Sequence, residues 1–487
     1  MKTRIFLVIT IISVIVSNPG FSKTINVTTG TDSIAGSLRE AVLNALNGDV
    51  ITFNKDLTEI KLGGQITFDK SITISGNPGL RIFIKQSDNP SFNRIFEING
   101  SDFIIVSINN LKFGQTPIVI VNLVSYNTDG AIILMSNTNA IVNIDFCHFT
   151  SWGNGFSGRY QYVNSNGVNG GGIAQYGGVL NISNSTFNTL GIAYISVYWG
   201  NGGAIFQQSG ALNLVNCTFY QNQPVSGQYT RGQGSAIYSK NSMVSITNCT
   251  FCENINSHTY TNLYPNVELI TYTIYLDNSD IEVKNSIFYH NESKDITGSN
   301  SSSSSGGYNI FEQATVSGSV SSDLFNCNPG FILAVNPLCI PCGPRVVLSD
   351  NTFWIPVCAL DTAGCALNAL PPNGNGSPLY DERGFTRIGA TDIGAYEYDG
   401  KALSTGLTKI IESSLTLAPN PVTNELSIRN ISKNAKISIY DLSGRLILNK
   451  IVRSTVEIID VSSLKNGVYA IKISANNNVT TEKFIKQ

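Results

Sequence analysis

Gly202-Gly203-Ala204-Ile205, followed by Asn216-Cys217-Thr218-Phe219, is one copy of a unit that the chain repeats. Gly171-Gly172-Ile173 precedes Asn184-Ser185-Thr186-Phe187. Gly234-Ser235-Ala236-Ile237 precedes Asn248-Cys249-Thr250-Phe251, and Thr271-Tyr272-Thr273-Ile274 precedes Asn285-Ser286-Ile287-Phe288. A looser copy runs from Gly130-Ala131-Ile132 to Phe149. The Ile-to-Phe distance is 14 residues in all four close copies, whereas the step between copies is 32, 32 and 37. A constant interior with a variable exterior means a fixed stacked unit with loops inserted at one corner. Within a unit, Leu212 and Leu214 alternate with Asn213, and the phase slips at Asn216, as at a corner between two strands. Stacked as parallel strands ~4.8 Å apart, the copies lay like over like. Three ladders follow: Phe149, Phe187, Phe219, Phe251, Phe288; Asn184, Asn216, Asn248, Asn285; and the small residues Cys147, Ser185, Cys217, Cys249, Ser286.

A stack must cover its ends, because open sheet edges recruit other chains. Ser37-Leu38-Arg39-Glu40 reads as a capping box, with Ser37 and Glu40 exchanging bonds. Leu38, Ala41, Val42, Ala45 and Leu46 then share one face of a predicted capping helix, with Gly48 past its end. Winding starts at Val50-Ile51-Thr52-Phe53, and the length to about Cys327 accommodates roughly nine coils. The Ser-rich run Ser299 to Gly307 reads as a flexible loop on the stack.

The 487 residues carry a net charge of −2 and only 13% charged residues, which excludes a long solvated helix and gives no basis for a nucleic-acid partner. Met1-Lys2-Thr3-Arg4, an apolar run from Ile5 to Val16 and Gly20-Phe21-Ser22 form a secretory signal, residues 1–22, with cleavage expected after Ser22. The run is short of the ~20 residues a span needs, and no later segment is long and apolar enough. Residues 23–398 form the stack with its N-terminal cap and a Cys-containing C-terminal extension, and 399–414 read as a linker. From Lys401 on there are 12 basic and 6 acidic residues, against 17 and 27 from Lys23 to Gly400. Alternating strands such as Leu426-Ser427-Ile428 and Ile437-Ser438-Ile439-Tyr440 predict a small antiparallel β-sandwich over 415–487.

Two resemblances sharpen this reading. Ala418-Pro419-Asn420-Pro421-Val422, Ile439-Tyr440-Asp441-Leu442-Ser443-Gly444-Arg445 and Leu464-Lys465-Asn466-Gly467-Val468-Tyr469 resemble the type IX secretion C-terminal sorting domain. That resemblance implies Sec export, passage through the type IX machinery as partner, and a product at the outer cell surface or outside the cell. The Gly-Gly-Ala-Ile unit and the Phe-x-x-Asn unit (Phe219 to Asn222, Phe251 to Asn254, Phe288 to Asn291) resemble repeats of right-handed parallel β-helix adhesins, although Leu190 replaces the Asn in the first unit. Gly307-Tyr308-Asn309-Ile310-Phe311, Asp381-Glu382-Arg383-Gly384-Phe385 and Asp392-Ile393-Gly394-Ala395-Tyr396-Glu397 resemble the choice-of-anchor Q domain. The fold expected is therefore all-β: a right-handed parallel β-helix with a C-terminal sandwich.

The function implied is adhesion or glycan binding without catalysis, the alternative being a polysaccharide lyase or glycoside hydrolase with a nonstandard site. Asn127-Thr128-Asp129-Gly130 reproduces one polygalacturonase motif. The Asp pair, Gly-His-Gly and Arg-Ile-Lys of that family are missing, so it reads as turn sequence. Asp280 and Glu282 share a strand face, with Asp277 near and Lys284 following. They are the candidates for catalysis, and for a calcium ion if one is bound; no other cofactor is expected. His148 and His290, near Asp145 and Glu292, read as core or turn residues. For ligand contact the candidates are Arg159, Tyr160 and Tyr162 in the Gly153 to Gly167 loop, with Tyr176, Tyr194, Tyr198 and Trp199 on outer positions. Nine cysteines in an exported chain predict disulfides among Cys327, Cys339, Cys342, Cys358 and Cys365. Zinc is disfavoured with only three His, and Cys147, Cys217 and Cys249 read as buried free thiols.

Overall fold

The computed structural model describes residues 22–78, 82–87, 94–115, 129–130, 132–151, 169–190, 200–224, 232–254, 272–291, 294–312, 317–331, 357–361, 363–371, 374–398 and 400, and, in the tail, 416–418, 422–429, 435–440, 446–452, 454, 456–465, 467–475 and 478–486. All but the last residue of the expected signal peptide lie outside these, as do Arg159, Tyr160, Tyr162, Tyr194, Tyr198, Trp199, Cys339, Cys342 and Glu292. The chain divides into two compact units between Leu403 and Ser404.

The first unit is a parallel β-helix. Ten short strands, from Glu59–Leu62 to Leu324–Phe325, stack into one parallel sheet, close to the roughly nine coils expected. A second parallel sheet of 16 strands takes the rest of each coil. We call this the first sheet, because each coil enters it first, and the ten-stranded one the second sheet. Parallel strands joined by crossovers follow the right-handed path, since right-twisted strands pack back onto their sheet only that way. The copies align without slippage: Phe149 pairs Phe187, Phe187 pairs Phe219, Phe219 pairs Phe251, and Phe251 pairs Phe288.

Inside, the phenyl rings form a column. Centroids of Phe149, Phe187, Phe219, Phe251 and Phe288 are 4.6, 4.9, 4.7 and 4.6 Å apart, with rings within 6° of parallel. Phe113 extends the column at one end, Phe311 and Phe325 at the other. The strand spacing sets this distance, so the rings stack because the backbone register places them there.

The asparagine corner has its own cause. Asn184, Asn216, Asn248 and Asn285 have φ between +48° and +51°, the left-handed region that asparagine tolerates better than most residues. Their amides partly chain along the axis: Asn216 Nδ2 donates to Asn184 Oδ1 at 3.1 Å, and Asn285 Nδ2 to Asn248 Oδ1 at 3.1 Å. A deeper ladder joins Asn222, Asn254 and Asn291 through 3.0 Å bonds, each amide also donating to the carbonyl of a ladder Phe. Where Leu190 takes the asparagine's place, its N–H donates to Asn222 Oδ1. The glycines that open the Gly202 and Gly234 units are equally constrained. Gly202 has φ +73°, and a Cβ there would lie 2.1 Å from the Ile205 carbonyl oxygen.

At the entry end the helix α1 (Leu38–Asn44) caps the stack, burying Leu38, Ala41 and Val42. Ser37 Oγ accepts from the Glu40 N–H, and the Glu40 carboxylate accepts from Gly36 N–H, one residue before the expected partner. Leu46, expected on the buried face, is 73% exposed. The helix stops at Asn44 and Ala45 is extended, so Leu46 has left the helical phase. Lys70 of the next coil donates to the carbonyls of Val42, Leu43 and Ala45, holding that end.

The Ser-rich run is not a loop. Ser302–Gly307 is a strand paired with Asp280–Lys284. Register imposed by the neighbouring rung outweighs weak strand propensity, and the serine hydroxyls bond Asp280, the Ile281 carbonyl and Asp323.

The C-terminal extension returns along the outside of the stack as a strap over 374–397. Glu382, fully buried, accepts from Thr186 and Thr218 on adjacent rungs of the second sheet. Arg387 pairs Glu397 at 3.0 Å and donates to Asn216 Oδ1, interrupting the asparagine ladder there. Burial pushes the Glu397 carboxyl up to about 7, against the pull of Arg387 and an Asp392 N–H. Arg383 lies over the Phe385 and Tyr396 rings.

The second unit is antiparallel. One sheet orders Thr416–Ala418, Glu425–Arg429, Val456–Asp460; the other Leu446–Ile451, Lys436–Tyr440, Gly467–Ala475, Asn478–Lys486. Leu426, Ile428, Ile437, Ile439, Ile471 and Phe484 form its core.

The phenyl column generates one expectation. Phe219→Ala removes a ring packed above and below and lowers unfolding free energy by about 3–5 kcal/mol. Denaturant titration of the mature chain checks it, and an unchanged midpoint contradicts the column's role.

Candidate functional site

Each coil's entry strand in the first sheet presents one side chain outward per rung. The register places Glu97, Leu134, Ala174, Phe206, Tyr238, Tyr275 and Thr297 in a row. Polar groups gather at two points along it.

At the first, Asp129 begins a ladder of its own. Its Oδ1 accepts from the Asn169 N–H at 2.8 Å, Asn169 Oδ1 from Asn201 N–H at 3.0 Å, and Asn201 Oδ1 from Gln233 N–H at 2.8 Å. The Tyr176 hydroxyl donates to Asp129 Oδ2. Buried Arg94 lies within electrostatic reach of Glu97 and Asp129, and Gln65 donates to Glu97 at 2.7 Å. Burial pulls the Arg94 guanidinium down from its ordinary value while the two carboxylates hold it up. Burial, then the Asp129 carboxylate, push the Tyr176 phenol up.

At the second, Phe206, Tyr238 and Tyr275 stack at 5.5 and 5.6 Å, within 10° of parallel. Phe206 and Tyr238 are buried, whereas Tyr176, Tyr272 and Tyr275 are half-buried. Ring faces are spent on each other, so this row offers edges, hydroxyls and carboxylates to a ligand rather than open faces. Lys240 Nζ donates to Asp277 Oδ2 at 2.7 Å and the Tyr238 hydroxyl to the same oxygen at 3.1 Å. The Lys240 bond, and then Tyr238, hold the Asp277 carboxyl below the usual carboxylate range. Burial, with the Asp277 charge, pushes the Tyr238 phenol up.

The sequence candidates separate here. Asp280 and Glu282 are exposed on the outer face of Asp280–Lys284, and Lys284 lies against Gly376 of the strap. Asp280 accepts from Ser302 Oγ at 2.5 Å. Asp277 does not join them, because the chain bends at Asn278 (φ +51°) and turns it toward Lys240. Asp145 accepts from Ser183 and Asn184 on the next rung, and His148 Nε2 lies 2.5 Å from Asn188 Oδ1, so these two do not form a pair. His290 stacks on Tyr289. Among the described residues no group of three His, Cys, Asp or Glu is placed to hold a metal ion.

Cys327 and Cys365 are disulfide-bonded, with Cα atoms 6.3 Å apart. Cys358, also expected in a disulfide, is buried and unbonded in this structure, with the Cys252 thiol of the coil wall within electrostatic reach. Cys147, Cys217 and Cys249 are buried thiols on the small-residue ladder, and burial pushes Cys217 up.

The aromatic row was detectable in the sequence: Phe206, Tyr238 and Tyr275 each follow the repeat isoleucine directly. Arg94 and Glu97 carried no such mark, since their coil lacks the Gly-Gly unit.

Residues 416–487 match the secretion system C-terminal sorting domain. The chain is therefore an exported protein of the type IX route, delivered to the cell surface or the extracellular space. A search of curated proteins finds no significant match. Among solved structures the chain is similar to pectate lyase Pel9A, at 15% identity over 78% of this chain and 97% of that one, with a TM-score of 0.33. The fold assignment rests on this chain's own strand register. No helix among the described residues is long and apolar enough to cross a membrane.

The Lys240–Asp277 contact has a pH consequence. A carboxyl held low in the folded state contributes stability above its unfolded value, 3.8, that is lost as pH falls through the folded value. Carboxyl ¹³C NMR should place Asp277 below 3.8 in the wild type and return it toward 3.8 in Lys240→Met. Identical titrations in both proteins would refute the pairing.

Proposed function

We propose that this chain is an extracellular or surface β-helix that makes adhesive or glycan-binding contacts without catalysis, through the outer face of the first sheet between Asp129 and Asp277. The observation that carries the reading is that the acidic groups of this face are each bonded to a neighbour. Asp129 is held by Tyr176 and Asn169, and Asp277 by Lys240 and Tyr238. Carboxylates fixed this way still accept hydrogen bonds from ligand hydroxyls, and rigid positioning reduces the entropy lost on binding. Half-buried Tyr272 and Tyr275 supply amphipathic edges beside them. Arg159, Tyr160 and Tyr162, which lie outside the described residues, join the ligand contacts in this reading. The signal peptide 1–22 directs Sec export, 399–414 tether the sorting domain, and the type IX machinery recognises the tail. The strap motifs support a choice-of-anchor Q assignment. In this reading contact needs no cofactor other than a calcium ion if one is bound.

The alternative, a polysaccharide lyase or glycoside hydrolase, would use Asp280, Glu282 and Lys284, which share one outward face. Their spread along one exposed strand, with Asp280 already bonded to Ser302, weighs against it.

The mature chain on a panel of neutral and acidic glycans, with and without calcium, tests the choice. Retention is expected without new reducing ends or unsaturated products, and Tyr275→Ala should weaken it roughly tenfold. Cleavage of any glycan, abolished by Asp280→Ala, would transfer the assignment to the alternative.

A further inference from the structure

We propose that Cys252 and Cys358 form a disulfide that fastens the C-terminal extension to the wall of the coil. Cys252 ends the strand Thr250–Cys252 of the second sheet, in register with Tyr220 on one side and Tyr289 on the other. Phe251 points into the phenyl column, so alternation turns Cys252 outward. It is nevertheless only 2% exposed, because the extension covers this face: Tyr289 packs in one apolar cluster with Val357, Ala359 and Leu360. Cys358 sits inside that covering segment, 3% exposed, and its thiol lies within electrostatic reach of that of Cys252. Two buried thiols from elements remote in sequence thus meet at the seam between extension and coil. The same extension already carries the Cys327–Cys365 disulfide, and the export address passes the chain through compartments where disulfides persist.

The chemistry is thiol–disulfide exchange with a disulfide oxidant, either a dithiol oxidase of the export compartment or a small-molecule disulfide. One protein thiolate attacks the oxidant's disulfide, forming a mixed disulfide and releasing one thiol. The second protein thiolate attacks the protein sulfur of that mixed disulfide, forming the Cys252–Cys358 bond and expelling the second thiol. Two electrons and two protons pass to the oxidant. The neighbouring Cys358 thiol and burial push the Cys252 thiol up, so the docked Cys252 is a poor nucleophile. Closure belongs to the stage at which the extension is still docking. Once closed, the bond ties residue 252 to residue 358 and keeps the strap seated over the threonine and asparagine rungs.

The test is a peptide map of the full chain purified from an oxidising compartment, alkylated in denaturant without reduction. Trypsin with chymotrypsin, cutting after Phe251 and Leu360, separates Cys249 from Cys252 and Cys358 from Cys365. The expected result is a linked Cys252–Cys358 peptide pair that disappears on reduction, alongside the Cys327–Cys365 pair as internal control. In Cys252→Ser, Cys358 should become alkylated and the melting midpoint should fall by several degrees. Alkyl label on both Cys252 and Cys358 of the wild type, with Cys327–Cys365 intact, would overturn the proposal. So would Cys358 linked to Cys339 or Cys342. The wild-type map decides the matter even if the variant does not fold.

Discussion

Parallel, in-register hydrogen bonding between successive coils is the constraint from which the rest follows. Once Phe187 stands beside Phe219 and Phe219 beside Phe251, every other position in the coil is fixed relative to its neighbour above and below. Like must then tolerate like. Rings stack, amides chain and small residues sit over small residues, whereas charges would repel their own copies. The low charge of the chain is thus a consequence of the architecture. The interior holds the phenyl column and its aliphatic neighbours, and the carboxylates appear where the repeat is broken or at its edges: Glu97, Asp129, Asp277, Asp280.

The corners obey the same logic. A coil turns by placing single residues in the left-handed region: asparagine at Asn184, Asn216, Asn248 and Asn285, and Thr189, Gln221, Glu253 and His290 at the corner after the second sheet. Because the corner asparagines are equivalent, their amides lie within reach of one another, and the element that turns the chain also links the rungs. Arg387 enters this ladder at Asn216, and Glu382 and Ala395 bind the adjacent threonines. The extension is therefore seated by groups the repeat leaves facing outward, and it covers part of the wall.

Periodic features were legible in the residues themselves. The 14-residue interior spacing yields the phenyl column, the asparagine corner and the thiol ladder without reference to coordinates. Features made of single, long-range encounters were not. The bonds from Thr186 and Thr218 to Glu382 join residues far apart in sequence, with no second copy to reveal a pattern. The Ser302–Gly307 strand was hidden because serine has little strand preference of its own, and its conformation comes from Asp280–Lys284 beside it. Leu46 fits a helical period that the chain abandons at Ala45. At the site, the Phe206–Tyr238–Tyr275 row was within reach of the repeat, whereas the Arg94 and Glu97 cluster arises where the repeat is weakest.

The most direct test of the stacking claim measures register on the outer face, where the substitutions leave the phenyl column intact and remove only the Asn143–Asn181–Asn213 amide bonds. Asn181 pairs Asn213, and Asn213 pairs Ser245, one rung further on. With Cys147, Cys217, Cys249, Cys252 and Cys358 shielded by burial and Cys339 and Cys342 replaced by serine, Asn181→Cys with Asn213→Cys should react rapidly with a short bis-alkylating fluorophore that spans one strand spacing, ~4.8 Å. Asn181→Cys with Ser245→Cys, two spacings apart, should not. Equal crosslinking in both pairs, or crosslinking only in the second, would contradict the coil-on-coil register on which the account stands.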